Sequence, residues 1–394
     1  MNKPNKTSIF SSSFYNNPEN RAIIYQVIAL AGIFIFTYFI LNNMFINIEK
    51  RGINTGFDFL GSEAGFGILQ SLIPYQESDT YGKVFIVGLL NTILVSAIGI
   101  FFATIIGLLV GIGRLSKNWM VSKLSMVYVE TFRNIPILLQ ILFWYNVVLA
   151  SLPSPKQSIS FFDSIFFNNR GLYIPKPLLE SGFIWVAIAF VIAIIAVIYL
   201  SNWAKKRHDE TGEDFPLFLV SLAILVFSPL LVYFLSGTPA TLEYAELKGF
   251  NFKGGWTLIP ELLALAFALS IYTATYIAEA VRAGIEAVPK GQKEAAHALG
   301  LKDTVILKKV VLPQALRVII PPVINQYLNL LKNSSLATAI GYPELVTIFS
   351  GTSLNQVGQA VEIILMTMAV YLTISILISI FMNYINSKMQ IKER

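Results

Sequence analysis

Cysteine is absent from all 394 residues, which rules out disulfides, thiol chemistry and Cys-ligated zinc. Histidine is almost as scarce. His208 and His297 are the only two, and they sit in different segments, so a His-based metal site is not expected. Charge is also in short supply. Asp, Glu, Lys and Arg make up 13% of the chain against 55% hydrophobic residues, whereas soluble domains carry about 25% charged residues. Such a chain cannot cover its own surface with polar groups, and the composition points to a polytopic membrane protein. No G-x-x-x-x-G-K-[ST] phosphate loop occurs, so the chain is not expected to hydrolyse ATP itself. The net charge of +6 is small for this length and reads as an orientation signal, with no nucleic-acid partner implied.

Long apolar runs are plentiful. A spanning helix needs about 20 mainly apolar residues, and eight stretches qualify, near 22–46, 84–112, 125–149, 183–201, 215–236, 257–281, 314–339 and 359–385. The third and seventh carry polar residues in their middles. The first is too long for a signal-peptide core and reads as a retained helix behind a tail at 1–21. The fold class expected is therefore all-α, with about eight transmembrane helices.

Lys and Arg collect in alternate connections: Arg114, Lys117 and Lys123; Lys205, Lys206 and Arg207; Lys290, Lys293, Lys302, Lys308 and Lys309; and Lys388, Lys392 and Arg394 in the tail 386–394. With eight spans, all of these fall on one side with both termini, which the positive-inside rule makes cytoplasmic. The opposite side receives the loops 47–82, 151–182 and 237–256. There "SLPSPKQS" and "YIPKP" resist regular helix.

One cytoplasmic stretch, "KEAAHALGLKDTVILKKVVLPQAL" (293–316), has a pattern of its own. On a helix, Ala295, Ala298 and Leu299 fall on one side at i, i+3, i+4 spacing, with Lys293 and His297 opposite. Gly300 stands where glycine commonly ends a helix, and Pro313 suits the first turn of the next one. A helix this short is not stable alone in water, so its small-residue face must rest either on the protein's own membrane part or on a partner.

The pattern E-A-A-x3-G-x9-[IV]-x-L-P resembles the signature cytoplasmic loop of permease subunits in ATP-binding-cassette importers. Glu294, Ala295, Ala296, Gly300, Val310, Leu312 and Pro313 carry it, with valine where isoleucine is usual. "GLLNTILVSAIGIFFATIIGLLVGIGRLS" (88–116), "YVETFRNIPILLQILFWY" (128–145), "YIAEAVRAGIEAVPKGQKEAA" (276–296) and "LNLLKNSSLATAIGYPELV" (328–346) resemble polar amino-acid importer permeases. The layout is similar to the larger permease subunit of general L-amino-acid importers. The resemblance implies a type I importer transmembrane domain over 84–385 with a five-helix core. An extra N-terminal helix precedes it at 22–46, and an insertion with a helix pair interrupts it at about 151–256. It implies a coupling loop at 283–313, in which Glu294, Ala295, Ala296, Leu299, Gly300, Val310, Leu312 and Pro313 engage a separate ATPase subunit. It further implies a second, related permease subunit, a periplasmic amino-acid-binding protein, an inner-membrane location, and no cofactor beyond the ATP used by the partner.

Ionisable groups at membrane depth point to a pathway or a paired contact. Asn325, Asn329 and Lys332 share one helical face. They read either as pathway lining turned toward the bundle interior or as a snorkelling lysine with helix-bonding asparagines. Glu130 with Arg133, and Glu279 with Arg282, stand at i, i+3 and read as local ion pairs or as a gate. Gly107-x-x-x-Gly111 allows close helix approach. The rival readings are an ion-gradient-driven secondary transporter, which would show repeated halves, and a membrane enzyme, which would need clustered acid, base or metal ligands.

Overall fold

Uninterrupted apolar sequence becomes uninterrupted helix. The computed structural model describes residues 18–50, 52 and 55–389, so most of the expected tails, 1–21 and 386–394, lies outside the described residues. Among the described residues, helices α1 (Pro18–Lys50), α2 (Tyr81–Arg114), α5 (Phe183–Thr211), α6 (Leu217–Leu235), α7 (Pro260–Glu286) and α12 (Ala360–Met389) are the six long and apolar enough to cross a membrane.

The expected third span is broken. Helices α3 (Trp119–Asn134) and α4 (Ile137–Phe143, continued by a π-turn to Leu149) meet at 101°, so 125–149 is a bent pair and not one straight helix. Pro136 is the cause. It forces Ile135 into extended backbone, with ψ 128, and it has no N–H for the carbonyl four residues back. The side chain of buried Gln140 replaces that donor, giving hydrogen bonds to Phe132 O at 2.8 Å and Ile135 O at 3.0 Å.

The expected seventh span is helix α10 (Leu312–Asn333), which is not among the six. Arg317, Asn325, Asn329 and Lys332 interrupt its apolar run, and Pro321 and Pro322 lie inside it. A 3₁₀ segment, Ser334–Ile340, follows and ends at Gly341 in the left-handed region. A π-helical segment, Val346–Ser353, then leads through α11 (Leu354–Val357) to α12.

The core is built on α2 against α7. Gly107 and Gly111 make their approach possible. A Cβ on Gly107 would stand 2.6 Å from Ile277 Cβ, and one on Gly111 would stand 2.8 Å from Ala278 O. Tyr128 ties α3 to the same helix by donating to Ile271 O at 2.8 Å.

The long loops between α4 and α7 contain strands, which the all-α expectation did not include. β1 (Ile159–Phe161), β2 (Ile165–Asn168), β3 (Gly171–Ile174) and β8 (Trp256–Leu258) form one antiparallel sheet in that order. Two further antiparallel pairs accompany it, β4 (Lys176–Leu179) with β5 (Ala240–Glu243) across the α5–α6 insertion and β6 (Glu246–Lys248) with β7 (Asn251–Lys253) as a hairpin. Phe166, Tyr173 and Phe252 fill the space beneath, with the rings of Phe166 and Phe252 stacked at 4.5 Å. Burial pushes the Tyr173 phenol up from its ordinary value. Helices α5 and α6 rise from this cap and pack chiefly on each other.

Candidate functional site

After α7 the chain turns at Pro289 into helix α8 (Lys290–Ala298), followed by α9 (Asp303–Ile306) and a π-turn, Leu307–Val311, that runs directly into α10. The end of α8 is a Schellman motif. Gly300 N–H donates to His297 O at 2.9 Å, and Leu301 N–H to Ala296 O at 3.3 Å. Gly300 has φ +73 and nothing within 4 Å of a built Cβ. Its requirement is therefore conformational: a left-handed residue that reverses the chain. His297 Nε2 lies 3.5 Å from Asp303 Oδ1 across the turn.

The structure divides the expected coupling residues into two groups. Ala296 is buried in the same cluster as Val288, Ile306 and Val311, so it anchors α8 to the membrane part. Val310 and Pro313 are half-buried, and Gln314 Nε2 donates to Val310 O at 3.0 Å. Glu294, Ala295, Ala298, Gly300 and Leu312 are exposed, and Leu299 is 79% exposed. The helix thus holds to its own chain by one alanine and leaves its alanine–leucine side uncovered.

The Glu279–Arg282 pair forms at 2.5 Å and belongs to a larger network. Arg114, from the end of α2, also binds Glu279, and Glu286 also binds Arg282. Reading Arg114 as an orientation signal alone missed this link between the two core helices just before α8. Glu130 and Arg133 pair locally on α3 at 3.3 Å.

Asn325, Asn329 and Lys332 do share a face of α10, but it is an exposed one. The expectation that the stripe turns into this chain's own bundle is corrected: the interior side of α10 is taken by Ala315, Ile319, Ile324, Leu330 and Leu331. Lys332 stands where two cavities meet. One, of about 300 Å³, lies against α7 and includes Tyr272, Tyr276 and Asn329. The other, of about 480 Å³, lies against α12 and includes Ser335, Thr367 and Tyr371.

Sequence reading gave no role to Glu344, which is fully buried. Its carboxylate accepts from the Val346 and Thr347 backbone N–H groups at 2.9 and 2.8 Å and from the Tyr371 hydroxyl at 3.0 Å. Beside it, Asn91 Nδ2 donates to Pro343 O at 2.8 Å, and Thr92 Oγ1 accepts from Leu345 N–H at 3.1 Å. These bonds pin the break after the 3₁₀ segment to α2, where Gly88 leaves room for Leu345. A lone carboxylate between two apolar runs, and Asn-Thr within a third, were the available signals.

An apolar helical core with a short, outlying helix whose apolar side is uncovered describes a membrane protein with a surface left open beyond its long helices. The family described as "Binding-protein-dependent transport system inner membrane component" matches residues 205–391. The chain is 51% identical to the putative amino-acid ABC transporter permease protein YhdX of Escherichia coli, over 99% of both chains. It is 50% identical to the general L-amino acid transport system permease protein AapQ of Rhizobium johnstonii, over 98% of this chain and 96% of that one. A solved amino acid ABC transporter with histidines aligns over 78% of this chain and 95% of its own, at 18% identity and TM-score 0.46. The chain belongs to the permease subunits of amino-acid ABC transporters and is a multi-pass inner-membrane protein.

Proposed function

We propose that this permease carries polar L-amino acids of broad range inward, driven by ATP hydrolysed on a separate subunit. AapQ is named for general L-amino acids. A further relative, 40% identical over 99% of both chains, is the glutamate/glutamine/aspartate/asparagine transport permease BztB of Rhodobacter capsulatus. The uncovered side of α8 is the observation that carries the coupling role. Ala295 and Ala298 permit close approach and Leu299 supplies apolar area, so an ATPase groove can seat the helix while Ala296 keeps it attached to the core. The exposed polar face of α10 is the pathway wall, closed by a second, related permease subunit. A periplasmic binding protein delivers substrate on the side of the β cap. Both termini are cytoplasmic, and the chain itself holds no nucleotide or other cofactor.

Ala295→Glu tests the coupling role. Burying an unpaired charge in the docking face forces the contact apart or costs several kcal/mol. The variant should insert normally yet fail to co-purify with the ATPase and fail to support uptake in membrane vesicles. Full binding and uptake would return α8 to a solvated loop helix. Sidedness is tested by single cysteines, which meet no native background. Ser154→Cys and Thr238→Cys should react with an impermeant reagent outside intact cells, and Ser116→Cys and Thr211→Cys should not.

A further inference from the structure

The end of α7 opposite the coupling helix, about 40 Å away along its 27 residues, meets the β cap around a cavity of about 570 Å³. That is within the range of about 300–1,000 Å³ that small-molecule pockets occupy. Its walls come from four places: Leu69 in the loop before α2, the π-turn after α4, the first turn of α7, and the cap. The cap wall is firmly mounted on the helix. Strand β3 pairs with β8 from Leu172 opposite Leu258 to Ile174 opposite Trp256, and α7 begins two residues beyond β8. Gly171 permits that pairing, since a Cβ there would stand 2.3 Å from Leu258 O. Tyr173 donates to Asn251 Oδ1 at 2.9 Å and locks β3 to β7.

Two opposite charges line this cavity. Arg170 is at the tip of the β2–β3 turn, whose backbone is held by buried Asn168: its Oδ1 accepts from Arg170 N–H at 2.8 Å, and its Nδ2 donates to Ser158 Oγ at 2.9 Å. Glu261 is in the first turn of α7, where the helix dipole favours a carboxylate. It accepts from the Tyr145 hydroxyl at 2.8 Å through Oε1, which leaves its other oxygen for a further donor. Among the described residues neither Arg170 nor Glu261 forms an ion pair, with each other or with any other side chain. A cation and an anion that face one cavity without closing on each other match a ligand that carries both charges on adjacent atoms.

We propose that this cavity binds the head group of an α-amino acid, with the carboxylate on Arg170 and the ammonium on Glu261, as a receiving site on the cap side of the permease. The assignment rests on the amino-acid reading above and adds the place and the residues. Neither charge interacts with the side chain of the ligand, so the site selects the zwitterion and tolerates many amino acids.

The test uses the full-length chain in lipid nanodiscs with three radiolabelled probes: L-glutamine, L-glutaminamide, which lacks the carboxylate, and N-acetyl-L-glutamine, which lacks the ammonium. Arg170 is exposed and Glu261 half-buried, so the wild-type chain should prefer L-glutamine over both analogues by about two- to fivefold, the scale of a solvent-exposed charge contact. Arg170→Gln should lose the preference over L-glutaminamide and keep that over N-acetyl-L-glutamine. Glu261→Gln should do the reverse, and Arg170→Lys should restore most of the wild-type pattern. Each preference is a ratio within one variant, so a partly misfolded preparation does not imitate it. Absence of saturable L-glutamine binding, or preferences that neither variant changes, overturns the site. Uptake of L-glutamine by the assembled importer in vesicles is measured alongside. Uptake that persists without the binding pattern sinks the cap site alone, whereas absence of amino-acid uptake sinks the underlying functional reading.

Discussion

Helices α2 and α7, and helices α5 and α6, are both pairs of long apolar helices, yet α7 solves the opposite problem to α5 and α6, with α2 between them at 28% buried. In α7, 67% of the most apolar stretch is buried within the chain, and it is the least hydropathic of the six long helices. In α5 and α6 the buried shares are 11% and 0%, with much higher hydropathy. Lipid asks for apolar side chains all round. A helix enclosed by other helices needs small residues for close approach and accepts polar ones that find partners. Ser270, Thr273 and Thr275 are accordingly buried in α7, while Phe190, Ile192 and Ile195 of α5 are exposed. Hydropathy alone therefore locates lipid-facing helices better than it locates the helices that do the work.

The sharpest way to break this contrast is to put a valine into both pairs. Gly107→Val should overpack the α2–α7 contact against Ile277 and destabilise by about 1–3 kcal/mol or more. Ala196→Val, on an exposed side of α5, should stay within about 0.5 kcal/mol. Equal shifts in thermal unfolding in detergent would show that the two pairs are packed alike.

The buried polar groups give the next test. Glu344→Leu removes the acceptor of two backbone N–H groups and the Tyr371 hydroxyl, and each buried donor left unpaired costs about 1–3 kcal/mol. Hydrogen exchange at Val346 and Thr347 should quicken well beyond exchange in α5. Unchanged protection there would mean that α2 holds this break without the carboxylate.

Lys332→Met carries the contrast to the exposed polar face of α10. Stability should change by no more than about 0.5 kcal/mol, as at other surface positions, while vesicle uptake falls about tenfold, the loss of roughly 1.4 kcal/mol from a transport step. Normal uptake would make Lys332 a snorkelling surface residue. The smallest effect is expected at Lys302→Gln beside the coupling turn. It removes a rim charge and should alter ATPase association by about 0–1 kcal/mol.

Much of this molecule is readable from local pattern because lipid acts locally on each helix. The runs that became α1, α2, α5, α6, α7 and α12 are visible in the sequence, and so are the Gly300 helix stop and the apolar side of α8 with Ala295, Ala298 and Leu299. Each depends on residues within a few turns of one another. What local pattern missed depends on distant partners or on backbone detail. Arg114 lies far along the chain from Glu279, and their ion pair exists only because Gly107 and Gly111 bring α2 and α7 together. The 101° bend at Pro136 was open to a proline argument, but the Gln140 side chain that makes it tolerable is seen only in space. The cap strands are three and four residues long, too short for a period to register, and they are held by pairings between loops on either side of the α5–α6 hairpin.

Composition and periodicity by themselves determined that this chain is a membrane-spanning helical protein with a short amphipathic helix between two of its long apolar runs, because burying apolar side chains in lipid is a demand each segment meets alone. Only the tertiary structure decided which helices are enclosed, that Ala296 anchors α8 while its neighbours stay uncovered, and that Lys332 faces outward. Those outcomes are set by which segments pack against each other, and packing depends on surfaces that come from separate parts of the chain.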